Sequence, residues 1–106
     1  MRLYLAGPMT GLPESNYTAF HAEAARLRAA GFDVANPAEN DCGQDPEWSD
    51  WMRSGIRLLL TCDEVATLDG WWNSRGAVLE VDLATRLGMR VRPSLLHANP
   101  NLVGVP

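Results

Sequence analysis

A glutamate in the segment "WWNSRGAVLE", residues 71–80, lies where a helical pattern calls for an apolar side chain. If residues 74–88 form a helix, Glu80 falls in the middle of its apolar face. The other members of that face are Ala77, Val81, Leu83, Ala84 and Leu87. An ionised carboxylate is costly to bury without partners. Glu80 is therefore either paired structurally, with Arg2 or Arg75 as the candidate, or a reactive group in a site.

Strand and helix patterns alternate along the chain and place this glutamate in a fold. Strands are predicted at residues 2–6, 32–37, 64–68 and 89–93, and helices at about 16–30, 46–62 and 74–88. Asp45 and Pro46 are the predicted start of the second helix, and Ser74 is the predicted cap of the third. Because parallel neighbours need crossover connections, this order predicts an α/β fold. We expect a mainly parallel sheet of four or five strands with helices on both faces.

Three glycine-rich or polar segments converge on one edge of such a sheet. Ligands of open parallel sheets bind beyond the carboxyl ends of the strands. The turn at residues 7–11, the loop at 69–73 and the start of the last helix all lie there. Gly7 and Gly11 are also explained by turn geometry alone, and Ser74 by helix capping. The dipole of the last helix would favour an ionised Glu80 near its N-terminus.

Composition and charge limit the classes of molecule that this protein is expected to bind. The 106 residues, 46% of them hydrophobic, are enough for one core. A net charge of −4 without a basic run argues against a nucleic acid polymer and favours a small molecule. Cys42 and Cys62 lack metal-ligand spacing and are interpreted as free thiols, with one disulfide left open. Without a signal peptide or a membrane-spanning stretch, a cytoplasmic protein is expected.

Two motifs in this order resemble a known family. The segment "YLAGPMTG" follows residue 3, and Cys62 to Glu80 fit the pattern cDxxxxLxGWxxSxGAxxE. Together they resemble the nucleoside 2-deoxyribosyltransferase-like superfamily, and within it a small phage and bacterial branch. The resemblance covers residues 2–92, so we predict a domain at 1–92 and a C-terminal tail at 93–106, disordered or interface-forming. It implies a flavodoxin-like three-layer sandwich.

The resemblance also implies roles for single residues. Glu80 matches the superfamily's nucleophile, and Ser74 matches the serine found in relatives that hydrolyse nucleoside 5′-monophosphates. A hydroxyl beside a helix N-terminus suits a phosphate, whereas a carboxylate would repel it. The expected substrate-binding residues are Tyr4, Gly7, Pro8, Met9, Gly11, Trp71, Ser74 and Gly76.

The reaction that this resemblance implies is cleavage of an N-glycosidic bond. A carboxylate beneath the anomeric carbon stabilises an oxocarbenium-like transition state or traps the sugar covalently. Water then completes hydrolysis, or a second base completes transfer. The substrate is expected to be a nucleoside 5′-monophosphate or nucleoside, with no metal or organic cofactor. A homodimer or higher homo-oligomer is expected, since one small domain would not enclose a nucleotide.

One position departs from the family. Many superfamily members have an aspartate, the presumed acid for the departing base, where this chain has Gly55. We expect Gly55 to leave a small void, and Gly55→Asp to raise turnover. Asp69 or Asp50 would supply the proton instead, with Asp69 as the first candidate. The alternative is a non-catalytic nucleotide-binding or interaction protein that lost this acid.

Overall fold

The computed structural model describes residues 1–9 and 16–97, which form a four-stranded, all-parallel sheet with three helices. In chain order the elements are β1 (Arg2–Ala6), α1 (Tyr17–Ala29), β2 (Asp33–Ala35), α2 (Trp48–Leu59), β3 (Glu64–Thr67), α3 (Arg75–Arg86) and β4 (Arg90–Pro93). The strand order is β2-β1-β3-β4. This is the predicted α/β architecture, a flavodoxin-like sandwich.

The alternation of side chains along β1 divides the core into two layers. Leu3 and Leu5 belong to a cluster with Phe20 and other residues of α1. Tyr4 and Ala6 belong to a second cluster, with residues of α2 and α3. Tyr4 therefore reaches the same layer as α3, the helix that carries Glu80.

The start of α2 differs from the prediction. The helix begins at Trp48, because the Asp50 carboxylate accepts a hydrogen bond of 2.9 Å from the Glu47 backbone N–H and fixes the first turn there. Asp45, the predicted cap, instead has a positive φ of 45°. Glu47 is the N-cap of α2 in place of Asp45.

The helix α3 begins where it was predicted. The Ser74 hydroxyl oxygen accepts a hydrogen bond of 3.3 Å from the Ala77 N–H, which confirms its capping role. Ala77 and Ala84 are buried as the apolar face requires, and Glu80 is buried with them. Leu87 is 54% exposed, because it follows the last helical residue.

The segment after β4 packs onto the domain as far as the structure describes it. Residues 94–96 form a 3₁₀ turn, and both Ser94 and His97 are buried. The Ser94 hydroxyl donates a 2.5 Å hydrogen bond to Glu23 of α1, and His97 Nε2 lies 3.2 Å from a carboxylate oxygen of Glu64 in β3. This part of the predicted tail is a component of the fold, while residues 98–106 lie outside the described residues.

Two further observations concern the chain as a whole. Cys42 and Cys62 are both free thiols. Among the helices in residues 1–9 and 16–97, none has the length and apolar character needed to cross a membrane.

Candidate functional site

Glu80 and Tyr4 form a buried hydrogen-bonded pair. Glu80 lies about one and a half turns into α3, and Tyr4 reaches it from the middle of β1. The Tyr4 hydroxyl donates a hydrogen bond to Oε2 of Glu80, which is 7% exposed. A hydrogen-bond donor at this position lowers the cost of burying a carboxylate on an apolar helix face.

Neither candidate arginine pairs with Glu80. The Arg2 side chain lies 2.8 Å from Thr61 Oγ1 and 3.7 Å from a carboxylate oxygen of Asp33. The Arg75 guanidinium lies over the Trp48 ring, 3.8 Å from its centroid. Within the described residues Glu80 makes no ion pair, so the prediction of a structural arginine partner is wrong.

Burial changes the acidity of both members of the pair. Burial raises the pKa of Glu80 from 4.5 to about 7, and the hydrogen bond from Tyr4 opposes this rise. Burial, and then the negative charge of Glu80, raises the pKa of Tyr4 well above 10.0. Near neutral pH the carboxyl group therefore exists in both ionised and protonated forms, while Tyr4 keeps its proton.

A cavity of about 150 Å³ opens beside this pair. Its walls come from β1, the turn after it, the start of each helix and the 3₁₀ turn after β2. The lining residues are Tyr4, Leu5, Gly7, Met9, Tyr17, Phe20, Pro37, Trp48, Trp51, Met52, Gly55, Ser74, Gly76, Ala77 and Glu80. Among the described residues, Glu80 is the one carboxylate on this mainly aromatic and apolar lining, which also carries the Ser74 hydroxyl.

The structure brings together most of the residues that the sequence singled out. Tyr4, Gly7, Met9, Ser74, Gly76 and Glu80 all line the cavity. Gly11 lies outside the described residues.

Three of the predicted site residues are placed away from this lining. Asp69 is exposed in the turn that follows β3. Trp71 is half-buried and packs edge-on against Trp72, with ring centroids 6.2 Å apart. The Pro8 carbonyl accepts a hydrogen bond of 2.9 Å from Asn16, at the start of α1. Asp69 is therefore not among the residues that line the cavity with Glu80.

Two glycines of the lining are required by close packing. A Cβ on Gly7 would lie 2.8 Å from Cβ of Leu68, and a Cβ on Gly76 would lie 2.9 Å from Sδ of Met52. At Gly7 the obstructing atom is fixed to the Leu68 backbone, whereas at Gly76 the flexible Met52 side chain would have to shift. Gly7 thus lets β1 meet the residue after β3, and Gly76 lets α3 approach α2.

Gly55 is required by the buried pair itself. A Cβ at this position would lie 2.7 Å from Oε2 of Glu80 and 2.9 Å from the Tyr4 hydroxyl. The predicted void is therefore not at the Cβ position of Gly55, which the two side chains occupy, although Gly55 lines the cavity beside them. Because a side chain at this position would displace the end of Glu80, Gly55→Asp is expected to lower turnover and not to raise it.

The sequence-based reading missed the aromatic wall. Trp48, Trp51 and Met52 have the spacing of a buried helical stripe, which favours a core or contact role, yet they line the cavity. A helix that follows a parallel strand begins at the carboxyl edge of the sheet. The first turns of α1 and α2 therefore bring Tyr17 and Trp48 to the site, and this rule was available from the element order.

Comparison with known proteins identifies the family of this chain but assigns no activity to it. A search of curated proteins finds no match. A family model described as "Domain of unknown function (DUF4406)" matches residues 1–92, which include Tyr4, Gly55 and Glu80. This description names no reaction, so the resemblance to the nucleoside 2-deoxyribosyltransferase-like superfamily stays a prediction. Because the match covers most of its length, the chain belongs to the DUF4406 family.

Proposed function

We propose that this protein cleaves the N-glycosidic bond of a nucleoside 5′-monophosphate, by hydrolysis or base transfer, with Glu80 as the nucleophile. The observation that carries this proposal is the Glu80 carboxylate, which is buried in a cavity at the carboxyl edge of the sheet with a hydroxyl donor and no cationic partner among the described residues. The resemblance to nucleoside 2-deoxyribosyltransferase-like enzymes supports the same role.

In this reaction the negative carboxylate of Glu80 lies next to the positive charge that develops on the sugar ring. As the base leaves, positive charge develops on the sugar ring, and a carboxylate beneath the anomeric carbon stabilises it. The ionised form of Glu80 is the reactive one, and its raised pKa means that this form grows as the pH passes through about 7. Tyr4 orients the carboxylate, because its hydroxyl is held on Oε2.

The 5′-phosphate is assigned to the start of α3. Ser74 lines the cavity and its oxygen caps the helix, so its hydroxyl proton points away from the backbone donor. Helix N-termini favour anions through their free N–H groups and dipole. Ser74→Asp would place a negative charge there and should weaken binding of monophosphates relative to free nucleosides.

A second copy of the chain is proposed to complete the site. Pockets that enclose small ligands have volumes of roughly 300–1,000 Å³, and this cavity measures about 150 Å³. It therefore holds one part of a nucleotide, and a homodimer or higher homo-oligomer would cover the rest. Sedimentation that shows a monomer at micromolar concentration would contradict this part of the proposal.

Replacement of Glu80 tests the function directly. Glu80→Gln keeps the shape and removes the charge, so it should abolish release of free base from a panel of nucleoside 5′-monophosphates while the protein still folds. Asp82→Asn is the matched control, because Asp82 is an exposed carboxylate on the same helix. Free base is measured by chromatography. Equal release by Glu80→Gln and the native protein would refute the proposal.

A binding protein without catalysis is the second candidate, and Gly55 is the observation that favours it. The position that carries the second acid in many superfamily members has no side chain here and no room for one. This candidate shares nucleotide binding with the first but releases no base. Calorimetric binding of a nucleotide that stays intact would decide for it.

A further inference from the structure

Within residues 1–9 and 16–97, the cavity offers no second carboxylate to protonate a leaving base. Among its lining residues in the described parts of the chain, Glu80 is the one acidic side chain. The contacts of Gly55 exclude an acid from the facing position of α2. Tyr4 is a poor proton donor, since its hydroxyl is already bound to Glu80 and its pKa is raised well above 10.0 by burial. A neutral base that leaves as an anion would find little assistance here.

The walls of the same cavity suit a flat positive charge. Tyr17, Phe20, Trp48 and Trp51 supply four aromatic rings. The Trp48 ring already holds a planar cation, because the Arg75 guanidinium lies 3.8 Å from its centroid. Aromatic faces and a nearby carboxylate both stabilise a cationic heterocycle, and each would do so in a water-poor space.

We propose that the preferred substrates are nucleotides whose base is a cationic, N-glycosylated heterocycle, such as a pyridinium or an N7-alkylated purine. This inference rests on the proposed function and specifies its substrate class. Such a base departs without receiving a proton, so a site with one carboxylate suffices. Aromatic walls bind the charged ring, and Glu80 attacks the sugar.

The chemical steps balance without an acid. When the bond between the anomeric carbon and the ring nitrogen breaks, its electron pair goes to the nitrogen and cancels the positive charge of the ring. A carboxylate oxygen of Glu80 bonds to the anomeric carbon and gives a glycosyl ester. Water then attacks that carbon, the ester bond breaks, and Glu80 is restored as one proton passes to solvent.

A pair of nucleotides that differ by one methyl group tests the preference. Guanosine 5′-monophosphate and 7-methylguanosine 5′-monophosphate are incubated with the native protein in a mildly acidic buffer, where the methylated base is cationic. After subtraction of hydrolysis without protein, kcat/KM should favour the methylated nucleotide by at least about 100-fold, the lower range of what a general acid contributes. Glu80→Gln should abolish this cleavage, and Asp82→Asn, which changes an exposed carboxylate on the same helix, should retain it.

A pH profile gives an independent readout. Nicotinamide mononucleotide carries a fixed positive charge, so its cleavage should rise as Glu80 ionises through a pH of about 7 and then stay level. A fall in cleavage at higher pH would reveal a group that must be protonated, which is a required acid, and would overturn the inference.

The outcomes separate this inference from the proposed function. Glu80-dependent cleavage of both guanine nucleotides at equal rates would leave the proposed function standing and refute the cationic preference. No release of base from either nucleotide, in native protein and Glu80→Gln alike, would refute both.

Discussion

At the scale of single residues, the properties of the site depend on one hydrogen bond. Burial raises the pKa of Glu80, and the Tyr4 hydroxyl holds it down by favouring the ionised form. Tyr4→Phe should therefore raise the pKa of Glu80 above about 7. Carbon-13 NMR of the labelled glutamate carboxyl groups would follow this titration. Tyr17→Phe is the control, because Tyr17 lines the cavity without a hydrogen bond to Glu80; an equal rise in both variants would show that Tyr4 has no specific effect.

The same carboxyl group makes stability depend on pH. Its pKa is about 7 in the folded protein and about 4.5 in the unfolded chain, so the fold favours the protonated form. Stability from this group is present below a pH of about 4.5 and is lost as the pH rises through about 7, by about 3 kcal/mol in total. Urea unfolding across this range should show the loss in native protein and a flatter profile in Glu80→Gln. Parallel profiles would contradict the assignment of the raised pKa to Glu80.

The sequence revealed Glu80 but not its partner. A helical period is regular enough to show that a charge lies among apolar positions. The partner, Tyr4, lies 76 positions away along the chain, and strand alternation gives the face of a residue without giving the atom that it meets. The hydrogen bond and the role of Gly55 both depend on the distance between β1, α2 and α3, which no local pattern encodes.

At the scale of elements, the first turns of the helices position the site. Where several residues could cap a helix, its first residue is difficult to predict from the sequence. Residues 45–50 contain three acidic side chains able to cap a helix, and a choice between them depends on where α2 packs. The α3 start was predictable because Ser74 is followed at once by a clear helical pattern. The spacing of Trp48, Trp51 and Met52 indicates an apolar face of α2, but periodicity alone does not distinguish a core face from a cavity wall.

The contact between α2 and the buried pair yields a prediction about Gly55→Ala. In an open helix this change stabilises by about 1 kcal/mol. Here the new Cβ would lie 2.7 Å from Oε2 of Glu80, and overpacking of this kind typically costs about 1–3 kcal/mol. Gly55→Ala should therefore lower the free energy of unfolding, as measured by urea denaturation.

A double variant shows whether that loss comes from the pair. Glu80→Ala removes the closer of the two obstructing atoms, so the combined Gly55→Ala/Glu80→Ala protein should be more stable than the sum of the single changes implies. Strict additivity would show that the two positions do not interact.

At the scale of the whole molecule, the sheet topology was the most predictable feature. The polar network of Glu23, Glu64, Ser94 and His97, which follows β4, was the least predictable. Alternating strands and helices with short connections leave few arrangements other than a parallel sheet. The network joins Glu23 and Glu64 to Ser94 and His97 across 71 and 33 positions of sequence. His97 showed no pattern, because its neighbours come from other elements. Its burial became visible only in the assembled fold.

This network should contribute strongly to global stability. His97 is 3% exposed, its ring packs edge-on against Phe32 at 5.7 Å, and its Nε2 lies 3.2 Å from Glu64. His97→Ala would open a cavity and remove a partner of a buried carboxylate, so we expect a loss of about 2–4 kcal/mol in the free energy of unfolding. Leu95→Ala is the control from the same turn, because Leu95 is 78% exposed and should change stability by less than about 0.5 kcal/mol. Urea denaturation compares the two variants with native protein. A His97→Ala protein as stable as Leu95→Ala would show that the turn after β4 merely rests on the domain, whereas the expected difference would make it the element that ties α1 and β3 together.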